Sequence, residues 1–413
     1  MKYVSTIIVG AGQAGLAMSK HLTDRSIDHV LLERGEVANS WKTERWHSLK
    51  LLTPNWQSRL PDYSYSGPDP HGYMNMAEVV SYLQTYAHIT CAPIQEQTSV
   101  ISIERRFGRY VVKTNRGTWA STTLVLANGA CNIARIPKFS AAVPSSIRQL
   151  SPLDYKAPDQ LDEGAVLIVG ASATGVQLAK EIQASGRDVT LSVGEHIRMP
   201  RSYRGRDIKW WMDAMGILDA SYLEVENLAR ARNLSSLQLA GSDDGAMVDL
   251  NSLSEIGVNI AGRLSGMHEG NAQFSGSLAN YCSLADLKMN RLLESIDQWV
   301  LNGQDSGLFP PAIEFSPTKV SYSAPLSLNL NSGQVKTIIW ATGFRPDYSW
   351  LRVPVLDRKG NIKHQGGVVE APGMYVLGLP FLRKRKSTLI DGVGDDAEQL
   401  SNHLKLSLDR VAA

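Results

Sequence analysis

Two stretches of the chain run through the same order of apolar, small and amphipathic positions. Residues 3–9 form a β-rich apolar run that leads into Gly10-Ala11-Gly12-Gln13-Ala14-Gly15, and residues 16–22 follow with helical spacing. The order returns as residues 165–169, then Gly170-Ala171-Ser172-Ala173-Thr174-Gly175, then residues 176–182. Each copy predicts a strand, a tight turn and a helix. Residues 29–32 and 188–193 predict the next strand after each copy. Two further β runs end in small-residue turns, residues 124–126 in Ala127-Asn128-Gly129 and residues 335–340 in Ala341-Thr342-Gly343. Residues 78–87, 283–290 and 397–406 read as helices, the first of them amphipathic and structural.

The glycine spacing carries chemistry. In a G-x-G-x-x-G turn the first glycine makes the bend and the second lets backbone approach a pyrophosphate. The third lets the helix pack close to the strand. The helix start then offers unpaired N–H groups and a partial positive charge to the phosphates. In the first copy Glu33 stands 18 residues past Gly15, where a carboxylate accepts ribose hydroxyls, with Arg34 beside it. In the second copy Ser172 replaces the middle glycine, and the same count from Gly175 lands on Val193, with no acid. Arg198, Arg201, Arg204 and Arg206 follow instead, which suits a 2′-phosphate and favours NADPH over NADH, although Glu195 in the same loop is discordant. A solvated basic face is the competing reading of those arginines.

Two dinucleotide sites in one chain imply hydride transfer from a nicotinamide to a flavin. The first would hold FAD. The expected fold class is α/β, with two Rossmann-like dinucleotide-binding domains, the NADPH domain inserted into the FAD domain. FAD-binding segments at 1–155 and 318–413 would flank an NADPH-binding segment at 156–317. On this reading both small-residue turns, Ala127-Asn128-Gly129 and Ala341-Thr342-Gly343, leave the FAD sheet at its ligand edge.

Composition narrows the class. The 42 basic and 40 acidic residues nearly cancel, which argues against nucleic-acid or membrane-surface binding. The three cysteines, Cys91, Cys131 and Cys282, form no C-x-x-C, so neither a dithiol centre nor a Cys-rich metal site is expected. No export signal or 18-residue apolar span is visible, so the expectation is a soluble cytoplasmic protein. A Trp-rich stretch with Trp41, Arg45, Trp46 and Thr53 lies between Glu33 and the first long helix. Its rings would cover an isoalloxazine or wall a substrate pocket, and Arg45 would meet a phosphate. For each indole alone, plain core packing is the simpler account.

With these parts in place the chain resembles the flavin-containing, or class B, monooxygenases, in the bacterial branch of CzcO-type flavoproteins related to YUCCA-type enzymes. The paired glycine turns carry the resemblance, with the Trp41…Arg45-Trp46…Thr53-Pro54…Leu60-Pro61 stretch and Ala341-Thr342-Gly343-Phe344. Residues 200–208 and 274–280 add to it. The family's linker fingerprint F-x-G-x-x-x-H-x-x-x-Y-K departs here: Ser145, Ile147 and Ser151 replace its Phe, Gly and His, and only Tyr155-Lys156 remain. The family's flavin-proximal asparagine is replaced by Leu52 or Thr53.

The resemblance implies an NADPH- and O₂-dependent monooxygenase that forms a C4a-(hydro)peroxyflavin. It would oxygenate a small organic substrate by N- or S-oxygenation or in Baeyer–Villiger fashion, needing no metal and no protein nucleophile. Asn280 is the candidate polar group near the nicotinamide or substrate, its alternative role being a helix N-cap. Asp395 would open a helix aimed at the flavin or act as a plain N-cap. The run Arg383-Lys384-Arg385-Lys386 reads as a solvated face. A reductase with a non-oxygen acceptor and a non-catalytic dinucleotide sensor are the alternatives. The sequence leaves substrate and oligomeric state open, a homodimer being compatible with it.

Overall fold

The computed structural model describes residues 1–242, 244–303, 306–321 and 324–412. The chain opens with β1 (Lys2–Val9), α1 (Gln13–Asp24) and β2 (His29–Leu32), and β3 (Gly117–Leu126) returns on the other side of β1. All three strands are parallel, with Ile7 level with both Val30 and Leu124. Such strands are covered on both faces, so they read as unbroken apolar runs. Ile7, Ile8, Leu31 and Leu124 are wholly buried.

A second parallel sheet follows. Arg148–Leu150 forms one edge, then come β4 (Ala165–Val169), α2 (Ala173–Ala184), β5 (Val189–Ser192), β6 (Asn259–Ala261) and β7 (Val335–Trp340). In space the order is Arg148–Leu150, β7, β4, β5, β6. The chain then rejoins the first sheet through β8 (Met374–Val376), which lies parallel to β3, and closes with α3 (Val393–Ala412), packed on α1. Among the described residues, no helix is long and apolar enough to cross a membrane.

The expectation that residues 335–340 extend the first sheet is corrected here. β7 pairs in register with β4, Ile168 opposite Ile339 and Val169 opposite Trp340. Its apolar side chains face the second core, where Ile338 and Trp340 are wholly buried. The boundary expected at residue 318 therefore falls inside the second sheet's unit, and the chain returns only after Gly343. Arg148–Leu150 likewise joins the second sheet, ahead of the boundary expected at 155. An apolar strand flanked by small residues suits either sheet, so periodicity cannot choose its partner.

The two crossings between the sheets lie side by side. Outgoing Ile133–Ala134 pairs antiparallel with returning Phe344–Arg345, and the Arg135 N–H donates to the Gly343 carbonyl. A second attachment joins residues 218–222 to 383–386. Ser221 bridges Lys384, and the N–H groups of Tyr222 and Lys386 donate to the carbonyls of Arg383 and Leu218. Lys384 and Lys386 both pair with Asp219, at 2.9 and 3.2 Å. The basic run is thus not a solvated face: Lys386 is buried and its charge is spent across the junction.

The helix of each glycine turn lies so close to its strand that no side chain fits. A β-carbon on Gly15 would stand 1.9 Å from the Gly10 carbonyl oxygen, and one on Gly175 would stand 1.7 Å from that of Gly170. Gly175→Ala should therefore lower unfolding stability by more than about 3 kcal/mol in urea denaturation. Gly276→Ala, where no atom lies within 4 Å, should change it little.

Candidate functional site

At both turns the first glycine bends with positive φ, +104° at Gly10 and +110° at Gly170, which an L side chain resists. The bend tucks each glycine under the other small-residue turn of its own sheet. A β-carbon would meet the Ala127 carbonyl oxygen at 2.6 Å in the first site and that of Ala341 at 2.4 Å in the second. Ala127-Asn128-Gly129 and Ala341-Thr342-Gly343 therefore hold equivalent places against the two glycine turns, one in each sheet. Gly129 and Gly343 bend at φ +83° and +92°.

Gly12 and Ser172 hold the same place and the same extended backbone, φ −85° and −81°, each as the N-cap of its helix. That conformation is open to any residue, so serine does not strain the second turn. Neither helix start has a side-chain cap hydrogen bond, and nothing lies within 4 Å of a β-carbon built on Gly12. Unpaired N–H groups beside open space fit a pyrophosphate. Ala173 and Thr174 open α2 at the second site. These are the features that a bound FAD and a bound NADPH require of the chain.

Glu33 is buried at the end of β2, and its carboxylate serves the turn itself. Oε2 accepts the Ala11 N–H at 2.8 Å and Oε1 accepts the Gly35 N–H at 3.1 Å. Arg34 pairs with Glu44 instead of reaching toward the turn. The Trp41 indole N–H donates to the Gln13 side-chain oxygen at 3.1 Å, at the first residue of α1, and the Arg45 guanidinium lies 5.4 Å from that indole ring. The Asn128 amide donates to the Asp347 carbonyl and to Asn132, which fastens that small-residue turn to the returning chain.

Other expected site residues are used elsewhere. Trp46 is buried in the second core with Leu150, Tyr155 and Val166, so its ring joins the units instead of covering a cofactor. Asn280 is exposed inside the long helix Leu278–Asn302, whose N-cap is Ser277, so it is neither a buried amide nor a cap. Asp395 lies within the first turn of α3, which starts earlier than expected, and pairs with Lys384 at 2.8 Å.

The arginines are the largest correction. Buried Arg198 pairs with Asp249 and Asp286, at 2.7 and 2.8 Å, and donates to the Ser316 carbonyl. Buried Arg201 pairs with Asp207 and donates to the Leu52 carbonyl. Arg204 pairs with Asp297 and, with Gly205, makes the two-residue turn of the hairpin Ser202–Tyr203/Arg206–Asp207. Guanidinium groups held by aspartates in this way are not available to a phosphate.

What survives of the linker fingerprint has a structural reason. Tyr155 is wholly buried, and the Lys156 ammonium donates to the carbonyls of Thr43, Arg45 and Leu153. It ties the linker to the Trp-rich loop. Ser151, at the histidine position, donates to Asp154 and closes a local turn.

Sequence reasoning missed a cavity of about 280 Å³ beside that loop. Pro54, Trp56 and Tyr73 line it from the first unit, with Thr53 next in the chain, and Arg206 and Trp210 from the second. The Arg206 guanidinium lies 5.3 Å from the Trp210 ring. Between two lining residues sits Lys209, whose ammonium is pushed down to about 8 by burial and by Arg201, with Asp207 opposing. Hydropathy cannot show this cavity, because its walls lie some 150 residues apart and meet only after folding.

The profile of the pyridine nucleotide-disulphide oxidoreductase family matches residues 7–214. An uncharacterised CzcO-like oxidoreductase of Geobacillus kaustophilus is 32% identical over 97% of this chain and 98% of its own length. A probable indole-3-pyruvate monooxygenase, YUCCA4 of Arabidopsis thaliana, is 30% identical over 43% of each chain. Among solved structures, a flavin-containing monooxygenase from Stenotrophomonas maltophilia superposes with TM-score 0.69 at 17% identity, covering 98% of this chain and 99% of that one. A steroid monooxygenase bound to NADP superposes with TM-score 0.56 at 15% identity, covering 99% and 86%.

Two variants test the site. A β-carbon at Gly12 meets no protein atom within 4 Å, so Gly12→Val should fold and melt like wild-type apoprotein yet be purified without the yellow of bound flavin. Visible absorbance and circular dichroism read the two properties. Asp396, wholly buried in the first turn of α3, has its carboxyl pushed up to about 6 by burial. The folded state thus holds a proton that the unfolded chain releases near pH 3.8, and stability falls as pH rises between the two values. Asp396→Asn should raise stability at pH 7.5 by up to about 3 kcal/mol, a gain that fades below about pH 4 in melts across pH.

Proposed function

The chain belongs to the flavin monooxygenase family, in its CzcO-like branch, and from that premise we propose that it oxidises NADPH and uses O₂ to oxygenate a small organic substrate. The chain is a flavin-dependent oxidoreductase, and FAD and NADPH are its cofactors. When bound, the flavin supplies the electron transfer and the oxygen chemistry. The protein supplies position, a dry enclosure and charge.

The supporting observation is the pair of equivalent cradles in one chain, joined by hydrogen-bonded crossing strands. Gly10, Gly12 and Gly15 with the α1 start would hold the FAD pyrophosphate, and Glu33 would fix the adenosine ribose. Gly170, Ser172 and Gly175 with the α2 start would hold that of NADPH. Ala127-Asn128-Gly129 and Ala341-Thr342-Gly343 would wall the inner ends of the two ligands. Trp41 would orient Gln13 beside the first pyrophosphate. The cavity beside Pro54 would receive the substrate, its indoles excluding water.

Anaerobic mixing of the yellow holoprotein with NADPH should bleach the flavin, and admitting O₂ should give a transient absorbance unlike either oxidised or reduced flavin. Bleaching followed by direct peroxide release, or by electron flow to an added quinone, would replace oxygenation with a reductase activity. Failure of NADPH to bleach the flavin would remove both.

A further inference from the structure

Of the four arginines expected at the 2′-phosphate, Arg198, Arg201 and Arg204 are spent on aspartates and Arg206 lies against the Trp210 ring beside the cavity, so that group of NADPH needs another partner. In a cradle of this kind the adenosine ribose lies at the C-terminal end of the strand that follows the glycine helix. Here that strand is β5, and the chain leaves it through Val193, Gly194 and Glu195. No side chain projects from Gly194. The space beside it is filled from the neighbouring strand.

β6 runs parallel to β5, with Ala261 level with Ser192, and Arg263 follows it by two residues. The Arg263 side chain lies across Gly194: its Cγ and Cδ stand 3.5 and 3.6 Å from where a β-carbon on that glycine would be. It is exposed and makes no salt bridge among the described residues. Resting on the NADPH half of the proposed function, we infer that Arg263 receives the 2′-phosphate and that Lys288 keeps Glu195 from repelling it.

Glu195 explains why the site looked discordant in sequence. Its carboxylate accepts the Lys288 ammonium at 2.9 Å. That hydrogen bond, the charge of Lys288 and the nearby charges of Arg230 and Arg263 hold its carboxyl below the usual range. Three cations thus surround one carboxylate, and the surplus suits a phosphate dianion. Neither Arg230 nor Arg263 makes a salt bridge among the described residues; of the two, Arg263 is the one that lies across Gly194, and a guanidinium can give a phosphate two parallel hydrogen bonds.

The test uses FAD-loaded protein and two fragments, 2′,5′-ADP and 5′-AMP, titrated by calorimetry. Wild type should bind 2′,5′-ADP more tightly. Arg263→Gln should weaken 2′,5′-ADP by about 10- to 100-fold, the value of a charge-assisted hydrogen bond, and change 5′-AMP less than about twofold. Lys288→Met should also weaken 2′,5′-ADP, and adding Glu195→Gln to it should restore most of the loss. If Arg263→Gln leaves a wild-type preference for 2′,5′-ADP intact, the assignment is wrong while the NADPH reading stands. If wild type binds both fragments equally, the NADPH reading falls and the assignment with it.

Discussion

A helix can begin directly against the end of a parallel strand only where the backbones touch, and residues 15 and 175 are where they touch. Each approach leaves less than 2 Å for a β-carbon. From that contact follow the bend at Gly10 and Gly170, the exposed helix starts and the placing of each small-residue turn beside its cradle. Room for a phosphate is a by-product of the same geometry, since a helix so placed has N–H groups that no preceding backbone can accept. The substitution of serine at 172 leaves this untouched because the contact lies three residues on.

The second unit is held by charge as well as by apolar packing. Arg198, Arg201 and Arg204 come from one short segment and reach Asp249, Asp286, Asp207 and Asp297. Buried pairs of this kind add little net stability, but removing one partner strands the other. They fix the path of residues 198–207, and that path brings Arg206 and Trp210 to the cavity.

The cradles were legible in sequence because they are local: strand, turn and helix lie within about 20 residues, and the glycines have one geometric use. Glu33 stands at the strand end where the count from Gly15 puts it, and the bonds the structure shows for it, to Ala11 and Gly35, steady the turn. Whatever depended on distant partners was misread. The arginines sit beside the second cradle in sequence, yet the aspartates that claim three of them are chosen by the fold. β7 joined the other sheet because its apolar residues fit either. Asn280 and Trp46 had the right chemistry and the wrong surroundings. Arg263 was overlooked because it meets Gly194 through strand pairing, and no spacing rule links the two positions.

The crossing ribbon at Ile133–Ala134/Phe344–Arg345 and the attachment between residues 218–222 and 383–386 fasten the two sheets at two separate places. Two ties set far apart in the chain leave fewer ways for one sheet to move against the other than a single crossing would, so the relative placement of the two cradles is built into the polypeptide before anything binds.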